Sequence, residues 1–206
     1  SQRDKDKHLS SLLWVPDTFN SLAAAFDTGG TTLPPEPHNY YDKAADTYRR
    51  ILQNIDKPEF KSPANATDAI KVRLARSLRI LGQYKDALSL LYSVLKEKPN
   101  MVEAQFEAAY TYQAWGEQRP PYYGIAISGS QQYKEIWGWS MLSRKLIRST
   151  DREEHAHRFH EARYNLNLCL YLWALKETEA AARDKKLNQT KSDIQAIARL
   201  VPQMGG

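Results

Sequence analysis

The chain has 206 residues, 42% hydrophobic and 26% charged, the profile of a folded soluble protein of one or two ordinary domains or one short repeat array. No apolar run reaches the roughly 18 residues that span a bilayer, and the single cysteine, Cys169, excludes both an internal disulfide framework and a cysteine-based zinc site. A net charge of +5 leans mildly toward acidic partners.

The chain opens on Ser1 with no initiating Met, which implies an upstream segment removed and leaves a cytoplasmic and an exported location equally open. In chain order, "FNSLAAAFDTGG" and "YYDKAADTYRRILQNI" carry apolar residues at helical spacing and form a first helix pair over 17–55, with a Pro-rich loop at 28–39 between them. A second loop, 56–66, contains "DKPEFKSPANA". Residues 67–98 then give a clear pair. Leu74, Ala75 and Leu78 share one face of its first helix, and Ala87, Leu91 and Val94 share one face of its second. Gly82 suits the C-cap between them, and Pro99 ends the pair.

A shift of 34 residues returns the first helix: Leu74, Ala75, Leu78 and Gly82 map onto Ala108, Ala109, Tyr112 and Gly116. A third pair is expected over 102–149, interrupted by a loop at 117–130 that contains "RPPYYG" and continued by one long helix, "QQYKEIWGWSMLSRKLIRS". Gly138, between two tryptophans, is placed there as the small residue that allows a close approach. Tyr122 and Tyr123 either pack on the array or meet a ligand. A fourth pair covers 151–202. Its first helix opens with a capping box at Thr150 and Glu153, places Ala162, Leu166 and Leu170 in the repeating register, and runs on into "KETEAAARDKK". "TKSDIQAIARLVP" is its partner.

The Leu74-Ala75-Leu78-Gly82-Tyr84-Ala87-Pro99 pattern and its partial return resemble the tetratricopeptide repeat, a helix-turn-helix unit of 34 residues. The large aromatic usual early in the repeat is replaced by Lys71. The third pair and the "LVPQMGG" ending are also similar to bacterial proteins of this kind. The resemblance implies an all-α fold: about four antiparallel helix pairs stacked as a right-handed superhelix, an α-solenoid. It also implies a concave groove lined by the first helix of each pair. The groove residues so assigned are Arg73, Arg76, Arg79, Phe106, Tyr110, Gln113, Tyr164 and Asn165, and the same register adds Leu168 and Tyr171 on the last of these helices.

Such a groove implies a non-catalytic scaffold without a cofactor. It would dock a protein or peptide that is acidic or ends in a free carboxylate, because arginine pairs bidentately with carboxylate and aromatics anchor interfaces. The opposing reading keeps the arginines as a solvated helix face paired with Glu103 and Glu107. The family's chaperone-binding clamp is not implied, since Val72 and Arg76 stand where it needs other residues. A second class is an RNA-binding helical repeat, which the basic balance favours and the Gly82-Tyr84-Ala87-Pro99 pattern disfavours. A third is a metal-binding protein using the His155–Glu161 region. His157 and Glu161 are spaced i, i+4, but the segment lacks the H-E-x-x-H pattern, so the histidines read most simply as the hydrated entry turn of a helix.

Overall fold

The structure, a computed structural model, describes residues 7–26, 35–57, 60–61, 65–147 and 153–200. Nine helices are found among them: α1 (Leu9–Phe26), α2 (Pro35–Leu52), α3 (Ala66–Ile80), α4 (Tyr84–Glu97), α5 (Val102–Gln118), α6 (Pro121–Ser128), α7 (Trp139–Leu146), α8 (Glu153–Leu175) and α9 (Ala180–Leu200). The only extended pairing among the described residues is a two-residue parallel bridge of Lys7–His8 with Phe60–Lys61. The chain is therefore all-helical. It divides into two compact units, residues 1–94 and 95–206, and within each the helices pack mainly on their sequence neighbours.

In the first unit α1 packs on α2 and α2 on α3. Tyr41, Ala44, Tyr48 and Ile51 of α2 are buried, as are Leu74, Ala75 and Leu78 of α3, so the helical period read from the sequence is the buried face. Helix α3 ends as its Gly82 suggests. Gly82 has φ +75°, its N–H bonds the Arg79 carbonyl at 3.0 Å, and the Gln83 N–H returns to the Leu78 carbonyl at 2.8 Å. This paired closure satisfies two carbonyls that the helix end would otherwise leave open, and it needs a residue that tolerates positive φ.

Two boundaries differ from expectation here. Helix α1 begins at Leu9, well before residue 17, and passes through the buried Pro16. Helix α2 begins at Pro35, inside the expected 28–39 loop, because proline is tolerated in a first turn and Glu36 there faces the positive end of the helix dipole. Residues 27–34 lie outside the described residues.

In the second unit α5 packs on α6, α7 on α8, and α8 on α9, while α6 also lies against α8. The expected loop over 117–130 is largely helix: α6 starts with Pro121 at its head, where the missing N–H is no loss. Tyr123, fully buried, presses its ring on Gly116, where a Cβ would stand 2.6 Å from the ring. Gly116 thus lies inside α5 as the seat of α6, and does not end a helix as its counterpart Gly82 does. Tyr122 stacks on Trp115 at 3.9 Å between centroids, so both tyrosines of "RPPYYG" are packing residues.

The expected long helix from 131 is broken. Residues 129–138 are irregular, and only Trp139–Leu146 is helical. The cause lies in Gln105 of α5, which is fully buried. Its side-chain amide donates to the Pro99 carbonyl at 2.8 Å and the Glu135 carbonyl at 2.7 Å, and its Oε1 accepts the Trp137 N–H at 2.8 Å. Bound this way, the Glu135 and Trp137 backbone is unavailable for a helical ladder. Gly138 does permit a close approach, but of a loop and not of a partner helix: a Cβ there would collide with the Gly129 nitrogen and the Ile127 carbonyl.

Helix α8 stops at Leu175, where its apolar pattern runs out, and "KETEAAARDKK" turns and opens α9 instead of prolonging α8. Glu177 and Lys186 close that turn at 2.8 Å, and the Lys186 ammonium holds the Glu177 carboxyl below its usual range. The capping box rests on Thr150, which lies outside the described residues.

Candidate functional site

In the first unit Arg73 lies on α3 with Arg76 and Arg79 at one-turn spacing. Arg73 Nη1 pairs with Asp17 Oδ2 at 2.9 Å, and Asp17 Oδ1 accepts the Tyr48 hydroxyl at 2.5 Å. Asn20 donates to the same hydroxyl at 3.1 Å, and Ser77 Oγ donates to Asn20 Oδ1 at 3.1 Å. Burial, followed by the bond to Asp17, pushes the Tyr48 phenol far above its ordinary range, so it stays protonated and donating. Arg73 is therefore part of a tie among α1, α2 and α3. Arg76 is exposed and Arg79 half-buried, and neither is without a partner.

In the second unit the assigned residues bind one another. The Tyr110 hydroxyl donates to Glu161 Oε1 at 2.6 Å and accepts from Asn165 Nδ2 at 3.2 Å. Gln113 Nε2 donates to Asn165 Oδ1 at 3.0 Å, while Gln113 Oε1 accepts the Trp139 indole N–H at 2.9 Å and the Cys169 thiol at 3.3 Å. Arg158 takes the second Glu161 oxygen at 3.0 Å and lies over the Phe106 ring at 4.9 Å. Phe106 is buried, edge-on to Trp139 at 5.4 Å, and is a core residue, not a groove side chain. Asn165 is likewise buried, and Tyr110 and Gln113 are half-buried. This satisfied network fixes α5, α7 and α8 together, while Tyr164, 65% exposed, and Tyr171, 46% exposed, face solvent.

Cys169 sits at the heart of the network with no exposed surface, and burial pushes its thiol up to about 12. The thiolate is the reactive species, so labelling of the native protein with iodoacetamide at pH 8 is expected to be slower than in urea by at least about a hundredfold. Equal labelling rates in the two states would show that the thiol is accessible.

An open feature of this unit lies between α8 and α9. It is a groove of about 930 Å³. Tyr164, Leu168 and Tyr171 line it from α8, and Thr190, Ile194 and Ile197 from α9, each set at i, i+4, i+7. Tyr171 and Ile194 are 46% and 43% exposed. His157, His160, Glu161, Arg163 and Asn167 line it as well. Leu168 and Tyr171 share the face of Tyr164, and the repeating register assigns them to the groove with it. The α9 stripe lies in "TKSDIQAIARLVP", the segment expected to pair with that helix, but it was not assigned to the groove, which the register lines with first helices alone.

His157 and Glu161 do stand on one groove, but both Glu161 oxygens are engaged by Tyr110 and Arg158. Among the described residues, no three His, Cys, Asp or Glu side chains are grouped closely enough to hold a metal ion. His155 has its side chain outside the described residues. In the first unit a shallower hollow of about 540 Å³ runs along α1 beside Trp14, Asp17 and Leu22. No helix among the described residues is long and apolar enough to cross a membrane.

A scan against protein-family models finds no match to this chain, and neither the curated proteins nor the solved structures include one that matches it.

Proposed function

We propose that the chain is a non-catalytic docking module for a protein or peptide, built from tetratricopeptide-like helix pairs, and that the partner binds in the α8–α9 groove. The observation that carries this reading is the groove itself: a concavity of about 930 Å³ between two helical stripes, on which Tyr164, Tyr171 and Ile194 are left open to solvent. Tyr164 and Tyr171 supply wide, rigid contact area at low entropic cost, as interface anchors do, and an open apolar concavity on a folded protein marks a binding surface. The arginine row of α3 is a weaker site, since Arg73 is held by Asp17.

Peptides selected from a displayed random library against the intact protein test the reading. They are expected to lose at least about tenfold in affinity for Ile194→Glu, which puts a charge on the apolar wall, and to keep their affinity for Arg76→Glu. Selected peptides indifferent to Ile194→Glu but lost with Arg76→Glu would move the site to α3. Failure to select any peptide, with RNA binding that falls steeply as salt rises, would replace the reading with nucleic-acid recognition.

A further inference from the structure

We propose that helix α9 is a hinged cover on α8: it swings away as a unit about residues 176–179, and the α8–α9 groove belongs to its closed position. The proposal does not depend on what the groove binds.

The second unit holds its last two helices unequally. Helix α8 packs on α6 and α7 as well as on α9, and it buries Ala162, Leu166, Cys169 and Leu170. Helix α9 packs on α8, and Thr190 is the one buried side chain among its described residues. The Thr190 hydroxyl donates to the Lys186 carbonyl of its own helix at 3.0 Å, so its donor is spent within α9. Ile194 stays 43% exposed and Ile197 is half-buried. Burying this little apolar surface gives α9 a small share of the free energy that holds the unit together, and segments so held open on their own.

The α8 face that α9 covers is also poorly satisfied. Arg163 and Asn167 stand one turn apart on it. Arg163 Nη2 lies 3.9 Å from Asp193 of α9, and Asn167 lines the groove with Thr190 and Ile194. Arg163 Nε–H and Asn167 Oδ1 are both shut off from solvent, and neither has a hydrogen-bond partner among the described residues. Each carries a desolvation penalty while α9 is closed, and water meets it once α9 moves off. Opening therefore returns part of what the lost apolar contacts cost.

The end of α9 nearest α8 in the chain is held differently. The Lys176 and Glu177 N–H groups close α8 on the Trp173 and Ala174 carbonyls, each at 3.1 Å. Lys186 pairs with Glu177 at 2.8 Å and lies over the Trp173 ring at 4.5 Å. These ties pin the first turns of α9 beside the fulcrum. From Leu187 onward the helix is an arm of about 20 Å that rests on the weak contacts above.

Hydrogen exchange of the full chain, read residue by residue by NMR, tests the proposal. Amides of Thr190–Arg199 are expected to exchange through one common opening, at least about tenfold faster than those of Leu166–Leu170, and to change little in dilute urea, because such an opening exposes little surface. Once off α8 the arm is an isolated helix, marginal in water, so its amides exchange from the open position. The decisive variant is Asn167→Leu. It removes the stranded acceptor and puts apolar surface under α9, so α9 should exchange about tenfold more slowly while α8 keeps its rates. Arg163→Met removes the stranded Nε–H, should act in the same direction, and serves if Asn167→Leu does not fold. Protection of α9 equal to that of α8 would overturn the proposal. So would rates that rise smoothly toward Leu200, the mark of a fraying end, or α9 rates unchanged in the folded variants.

Discussion

Replacing Gln105 with Leu is expected to lower the stability of the second unit by about 3–5 kcal/mol, although the two side chains are similar in size. The loss is not one of volume. Gln105 is fully buried and serves three backbone groups at once, the Pro99 and Glu135 carbonyls and the Trp137 N–H. Leucine leaves all three without a partner, and a buried group so stranded costs about 1–3 kcal/mol. Gln105→Glu should be no rescue: it keeps an acceptor for Trp137 but turns an oxygen, in place of the amide nitrogen, toward two carbonyls. The total stability of a domain of this size is about 5–15 kcal/mol, so the effect is a large share of it. Urea denaturation followed by far-UV circular dichroism measures it. A midpoint for Gln105→Leu equal to that of the parent would mean that the 129–138 segment is held by something other than this amide.

The second large effect is expected at Trp139. Its side chain has no exposed surface, meets Phe106 and Tyr110 edge-on at 5.4 Å and 4.8 Å, and donates its indole N–H to Gln113. Trp139→Ala should cost about 3–5 kcal/mol, from lost transfer energy and the cavity left between α5 and α7. Trp139→Phe separates packing from hydrogen bonding. Phenylalanine keeps most of the ring contact but leaves Gln113 Oε1 with the Cys169 thiol alone, a weak donor. Its cost should be about 1–2 kcal/mol. Hydrogen exchange provides the second readout. Amides of α5 and α8 should lose protection together in Trp139→Ala, because Tyr110, Gln113, Glu161 and Asn165 form one network across them. Loss confined to α7 would show that the network stands without the tryptophan.

The helical faces were legible in the sequence because burial follows a fixed period. Leu74, Ala75 and Leu78, then Ala108, Ala109 and Tyr112, then Ala162, Leu166 and Leu170 were read as inward-facing, and all are buried. A helix makes that inference local: once the pitch is set, the apolar stripe has one side to face. The turn at Gly82 was legible for a similar reason, since positive φ is a property of a single residue. The groove was only partly legible. Tyr164, assigned to the groove, is exposed. Tyr110, Gln113 and Asn165, with the same polar character, satisfy one another inside the second unit. A sequence lists donors and acceptors without saying which of them meet.

The break between α6 and α7 shows the same limit most sharply. Residues 131–138 carry no strong local reason to abandon a helix before Gly138, yet they do, because an amide some 30 positions earlier takes the backbone groups a helix would use. Gly116 and Gly82 occupy equivalent places in the repeating pattern, yet one seats a tyrosine ring and the other closes a turn. The amino-acid sequence by itself determined that this chain is helical, which faces of its helices are buried and where its clearest turn falls, since each depends on neighbours within a turn or two. Tertiary structure alone decided where the chain between α6 and α7 leaves the helix, which polar groups are consumed in the core, and that an open groove remains between α8 and α9. Those outcomes depend on contacts between residues far apart in the chain, and no local period encodes them.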